Sequence, residues 1–136
     1  MRVVIDTNVL CATLKKSNFE RFIYDAFKME VFEWVVSTEI LNEYHEKLAE
    51  FYSVETANLV VNILTAAPNV ILAEPAFRWN LISEDPDNNK FSDLAISTNA
   101  YFLVSYDRHF NIFKEISFPN LKVVKPKEFK TIINWA

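Results

Sequence analysis

Met1-Arg-Val-Val-Ile-Asp6-Thr-Asn8-Val-Leu10 opens the chain and decides its architecture. Val3, Val4 and Ile5 are β-branched and continuously apolar, the pattern of a strand buried on both faces in the middle of a parallel sheet. Asp6 follows at the carboxyl end of that strand. In open α/β sheets this edge is where ligands bind, so the acid is placed for chemistry. Asp, Thr and Asn are also good helix caps, and from this stretch alone capping and function are equal readings of Asp6.

Working outward, 136 residues make one ordinary domain, taken here as 1–136, with length enough for a core. A hydrophobic share of 51% and twelve Phe exclude a disordered chain. The net charge of −4 excludes a surface coated in positive charge, but metal ions or a local basic patch can still attract nucleic acid. Cys11 is the single cysteine, so no internal disulfide forms; a reducing, cytoplasmic setting is expected, with Cys11 buried as a small hydrophobe. No apolar run approaches the roughly 18 residues of a membrane span, and no signal peptide or membrane association is expected. Glycine is absent, which removes every P-loop and dinucleotide fingerprint. Left-handed turns then fall to Asn or Asp, and Asn69, Asn88, Asn89 and Asn120 stand in turn contexts.

Along the chain, the spacing of Phe19, Phe22, Ile23, Ala26 and Phe27 predicts a helix over 18–30. Residues 31–36 read as a strand, and Ser37 caps a second helix whose apolar side is Ile40, Leu41, Tyr44, Leu48 and Phe51. Glu43 sits on the flank of that helix, next to Ile40, where a surface role is the ordinary one. A helix over 54–66, a strand over 70–72 and a connector over 75–82 follow, the connector with Phe77, Trp79 and Leu81 packed on the body. Asp85-Pro86-Asp87-Asn88 is a turn, and a helix runs from Asn89 to Asn99. Asn89 and Asp93, four residues apart, share one face of it. An acid at Asp93, if buried, needs a partner or a metal. Residues 101–105 form another apolar strand, and Asp107 stands at its end as Asp6 does after the first. A strand over 121–124 and a helix from Pro126 close the chain.

This alternation predicts an α/β sandwich around a mainly parallel sheet. Acids at two strand ends and on two helix flanks can converge above it. Carboxylates crowded in one cleft stay ionised together most simply around a divalent cation, and hard oxygen ligands suit Mg²⁺ or Mn²⁺. The chemistry that follows is metal-assisted phosphodiester hydrolysis.

Four motifs carry a resemblance over nearly the whole chain: Val-Ile-Asp6-Thr-Asn8-Val-Leu, Ser37-Thr-Glu-Ile-Leu-Asn-Glu43, Asp85-Pro-Asp-Asn-Asn-Lys-Phe-Ser-Asp93 and Phe102-Leu-Val-Ser-Tyr-Asp107. In this order and spacing they resemble PIN-domain proteins, in particular the VapC-like toxins of bacterial toxin–antitoxin systems. The resemblance implies a three-layer α/β/α sandwich around about five strands and a Mg²⁺- or Mn²⁺-dependent ribonuclease. It implies the acidic cluster Asp6, Glu43, Asp93 and Asp107, a cognate antitoxin protein that occupies the site, and homodimerisation. The chain departs from the family pattern at Asn89, where many members carry an aspartate. Asp93 is then expected as the third acid and Asn89 as a neutral ligand or orienting group, with Asp87 a lesser substitute. Tyr106 stands where many relatives have a small residue, and its ring could narrow the site or stack on a base.

The expected roles are metal ligation by Asp6, Asp93 and Asp107. Glu43 holds the attacking water or a second metal. Asn8 and Ser105 orient the acids, and Arg108, Lys90, Lys15 and Lys16 are candidates for phosphate. His45 and His109 receive no role. Two alternatives stand beside the nuclease. One is a catalytically idle PIN-like module that binds RNA or protein. The other is a haloacid-dehalogenase-type phosphatase, which needs a second Asp where this chain has Asn8.

Overall fold

The computed structural model describes residues 1–136. Its centre is a five-stranded, wholly parallel sheet of order β3-β2-β1-β4-β5, formed by β1 (Arg2–Ile5), β2 (Glu33–Val36), β3 (Val70–Leu72), β4 (Phe102–Val104) and β5 (Val123–Val124). The opening stretch occupies the middle strand, and Val3, Val4 and Ile5 are completely buried between β2 and β4. The helices are α1 (Thr7–Thr13), α2 (Arg21–Lys28), α3 (Thr38–Phe51), α4 (Val54–Ala66), α5 (Asn89–Ser97) and α6 (Pro126–Ile132), with 3₁₀ turns at Pro86–Asn88 and Arg108–Lys114. The expected α/β/α arrangement around about five strands is the one observed, and no helix is long and apolar enough to cross a membrane.

Aromatic side chains fill the layer on the β2 side. Trp34 lies edge-on to Phe27 with centroids 5.2 Å apart, and Phe32 meets Phe129 of α6 at 5.3 Å, the edge-to-face geometry aromatic quadrupoles favour. Cys11 is buried among these core residues as a free thiol. Phe51 and Phe77, expected inward, are largely exposed; Phe51 is the last residue of α3, where the helix ends before it returns to the core.

Two helical pieces are absent from the sequence reading. Helix α1 begins directly after β1, with the Asp6 side chain accepting the Thr7 N–H. Its seven residues are too short for a periodic signal. The Arg108–Lys114 turn starts the same way, with Asp107 accepting the His109 N–H. The left-handed residues are Glu30, Asn80, Asn99 and Asn134. Asparagine does replace glycine at three of the four, but at none of the four Asn positions singled out above. Asn69 instead uses its amide to hold the Phe27 and Phe32 carbonyls.

Candidate active site

Chain geometry brings Asp6 and Asp107 together because β1 and β4 are neighbours with Ile5 paired to Val104. Ser105 joins the two acids. Its hydroxyl donates to Asp6 Oδ2 at 2.6 Å and accepts the Asp107 N–H at 2.9 Å. Asp6 thus caps α1 through one carboxylate oxygen and meets Ser105 through the other, so the cap leaves its second oxygen facing the end of β4. Burial pushes the Asp6 carboxyl up; the Ser105 and Thr7 hydrogen bonds oppose this, and the charges of Glu43 and Asp107 add to it.

Helix α3 delivers Glu43. Ser37 caps the helix through the Ile40 N–H, and Glu74 accepts both the Thr38 N–H and its hydroxyl. One residue past Glu43, the buried Tyr44 hydroxyl donates to the Ile5 carbonyl and accepts the Trp34 indole N–H at 3.3 Å, which pins α3 to the end of β1. Glu43 Oε2 accepts the Thr7 hydroxyl, and Oε1 lies 2.8 Å from the buried ammonium of Lys90. Lys90 also donates to the Asp87 carbonyl at 2.7 Å. With both bonds made, Lys90 is engaged inside the site and is no free phosphate anchor.

The start of α5 supplies an amide. Asn88 Nδ2 donates to Asp107 Oδ2 at 2.8 Å and to Asp85 Oδ2 at 3.3 Å. Asp107 Oδ1 accepts the His109 N–H at 2.9 Å and lies 3.0 Å from the His109 Nδ1. Burial pushes the Asp107 carboxyl up, but the Asn88 amide and the His109 N–H and ring outweigh it and hold the group below its usual range. Asp85, Asp107 and His109 converge closely enough to share one ion, with His109 Nδ1 also 3.5 Å from Asp85.

Three of the expected residues make no hydrogen bond to the strand-end acids. Asn89 touches none of the strand-end acids: its amide closes a two-way pair with the Ile82 N–H and carbonyl at 2.9 and 3.1 Å. Asp93, on the same face one turn later, accepts the Trp79 N–H at 3.1 Å. Burial pushes its carboxyl up, the Trp79 and Asn80 N–H groups and Arg78 oppose this, and Glu39 adds to it. The shared face is real, but it meets the 79–82 segment. Each helical residue advances about 100°, so the position aimed at Asp107 is Asn88, one residue earlier. Asn8, expected to orient the acids, is exposed on α1 and makes no side-chain hydrogen bond; Thr7 contacts Glu43 instead. Thr7, Asn88 and His109 contact these acids, Asp85 contacts Asn88 and His109, and none of the four received a role from the sequence reading. The one available signal was the position of Thr7 and His109 beside strand-end acids.

The donor set fits a divalent cation. Asp6 is a buried carboxylate bonded only to neutral donors, raised further by two nearby carboxylates, and it shares Ser105 with Asp107. All the oxygen donors are hard.

Among solved structures the chain is similar to VapBC2 from Rickettsia felis bound to a DNA fragment from their promoter, with a TM-score of 0.63 and 18% identity, covering 92% of this chain and 98% of that one. It is also similar to FitAcB from Neisseria gonorrhoeae, with a TM-score of 0.60 and 14% identity over 92% and 98% of the two chains. At these identities the likeness is one of fold. No curated protein matches the sequence. The family model of the PIN domain matches residues 2–109, which takes in β1 through β4 and every carboxylate described above, and the chain therefore belongs to the PIN domain family.

Proposed function

We propose that the protein is a Mg²⁺- or Mn²⁺-dependent endoribonuclease and the toxin of a toxin–antitoxin pair, held inactive by a cognate antitoxin protein. The observation that carries the reading is the Asp6–Ser105–Asp107 unit, two strand-end carboxylates joined by one hydroxyl with Glu43 beside them. Membership of the PIN domain family and the likeness to VapBC2 and FitAcB support it. Asp6 and Asp107 would hold the ion, with the Asn88 amide as the neutral member of the set. When bound, such an ion supplies a Lewis acid for the phosphate oxygen and lowers the pKa of a bound water.

The chain's own residues do the rest. Ser105 fixes the spacing of the two ligands. Thr7 and Lys90 hold the two oxygens of Glu43, which orients the group that takes the proton of the attacking water at a carboxylate oxygen. Asn88 and His109 keep Asp107 ionised.

Cleavage of a mixed single-stranded RNA pool tests this, with Mn²⁺ or Mg²⁺, an EDTA control, and Asp6→Asn and Asp93→Asn variants. Metal-dependent cutting lost with Asp6→Asn and kept with Asp93→Asn is expected. Loss with both would return Asp93 to the site, and no cutting by a folded, metal-loaded wild type would remove the nuclease. The Lys90–Glu43 ion pair favours one second reading, a module that binds RNA without cutting, because it neutralises an acid the chemistry uses.

A further inference from the structure

The clefts that open onto the carboxylates differ in charge. On the α3 side, Glu39, Glu43, Glu46 and Asp87 line a cleft whose two lysines are already paired, Lys47 with Glu50 and Lys90 with Glu43. On the β5 side, Ser105, Tyr106 and Asp107 lead into a second cleft lined by Arg108, Lys114 and Lys125. Glu128 is the one acid there besides Asp107, and its Oε1 accepts the Lys125 backbone N–H at 3.3 Å. None of the three cations has a carboxylate within ion-pair distance, and none spends its side chain on a hydrogen bond. Three unpaired cations beside a site acid are out of keeping with a chain of net charge −4. A polyanion must be drawn in locally, and it meets like charge on the α3 side.

We propose that this β5-side cleft is the subsite for the backbone phosphate next to the one cleaved, on single-stranded RNA. The proposal deepens the nuclease reading and rests on it for the place of the scissile phosphate. Arg108, Lys114 and Lys125 hold the phosphate by charge. At about 150 Å³ and with mostly polar walls, the cleft suits a phosphate group rather than a base. The neighbouring base is left to Tyr106, whose half-exposed ring is held in place by its hydroxyl bond to Glu20 at 2.9 Å. The RNA backbone therefore runs over β5 and away from α3.

The test is fluorescence anisotropy of a labelled 12-nucleotide oligouridylate in EDTA across a NaCl series. Wild type is compared with Lys114→Ala/Lys125→Ala and with Lys28→Ala, whose lysine lies on α2 and pairs with Asp25. Each phosphate neutralised on a single strand contributes about 0.7 to the salt slope, so the double variant, losing the one phosphate in this cleft, should lose up to about 0.7 from the slope and bind roughly tenfold more weakly at moderate salt. Lys28→Ala should leave the slope unchanged. A double variant with wild-type slope and affinity overturns the proposal, as does a wild type that binds no RNA. Mn²⁺-dependent cleavage by the same preparations separates the two claims. Cutting by wild type with no effect of the lysines on binding removes the subsite alone. A lysine effect on binding with no cutting keeps the cleft as a site for an RNA phosphate but removes the nuclease and, with it, the cleaved neighbour.

Discussion

Ser105 is the residue on which the geometry of the site depends most, because one hydroxyl serves both Asp6 and Asp107. Partners of metal ligands that are removed typically cost 10–100-fold in metal affinity or activity. Ser105→Ala is expected to weaken Mn²⁺ binding by about that factor while leaving the fold intact, read by calorimetric titration; unchanged affinity would show that the two acids do not need their link. Cys11 tests burial at the same scale. Desolvation, with Glu43 adding to it, pushes its thiol up to about 11, and the thiolate is the reactive form. Native protein at pH 8 should leave Cys11 unmodified by iodoacetamide over a time in which urea-unfolded protein reacts fully; rapid native labelling would show that α1 opens.

At the scale of elements, Tyr44 welds α3 to β1. Its hydroxyl is completely buried, donates to the Ile5 carbonyl and accepts from Trp34. Tyr44→Phe leaves both partners unsatisfied, a loss of about 1–3 kcal/mol, expected as a lower urea midpoint with unchanged m-value. Which elements the sequence disclosed follows the same local logic. The β1 and β4 runs, the acids that end them and the Ser37 cap are set by neighbours in sequence, so they could be read directly. The face of α5 could not. Whether position 88, 89 or 93 meets Asp107 depends on where the helix starts and what packs over it, and a one-residue error turns the side chain by about 100°. The contacts of Asn89 and Asp93 with Ile82 and Trp79 reach across a segment without periodicity, which nothing local announces. Thr7 and Asp85 escaped because their partners lie in other elements: Glu43 is 36 residues from Thr7, and His109, which Asp85 meets at 3.5 Å, follows β4.

For the whole molecule, the site and the fold are in tension without an ion. Burial raises Asp6, with Glu43 and Asp107 adding to it, so the folded carboxyl holds its proton more tightly than the unfolded one. Ionised Asp6 therefore weakens the fold. The effect is absent below the unfolded value of about 3.9 and complete once pH has risen through the raised folded value. In EDTA at neutral pH, Asp6→Asn should melt above wild type, and the difference should vanish toward pH ~4. Mn²⁺ at a hundredfold excess over Kd should stabilise wild type by about 2.7 kcal/mol, roughly 10 °C, and Asp6→Asn far less. Equal melting temperatures in EDTA and no Mn²⁺ shift would remove Asp6 as a ligand.

The wholly parallel sheet also sets a timetable for synthesis. Strand β1 leaves the ribosome before the other four strands and lies at the centre, yet its neighbour β4 comes about a hundred residues later, and the Ser105–Asp6 bond spans 99 positions. Domains are made from the N-terminus forward, and contacts this distant in sequence close late. A nascent chain that has reached β3 already carries Asp6 and Glu43, but not Ser105, Asp107 or the β5-side lysines. Products terminated before β4 therefore lack Ser105 and Asp107, and the cell meets the assembled cluster of acids only on chains in which β4 has been made.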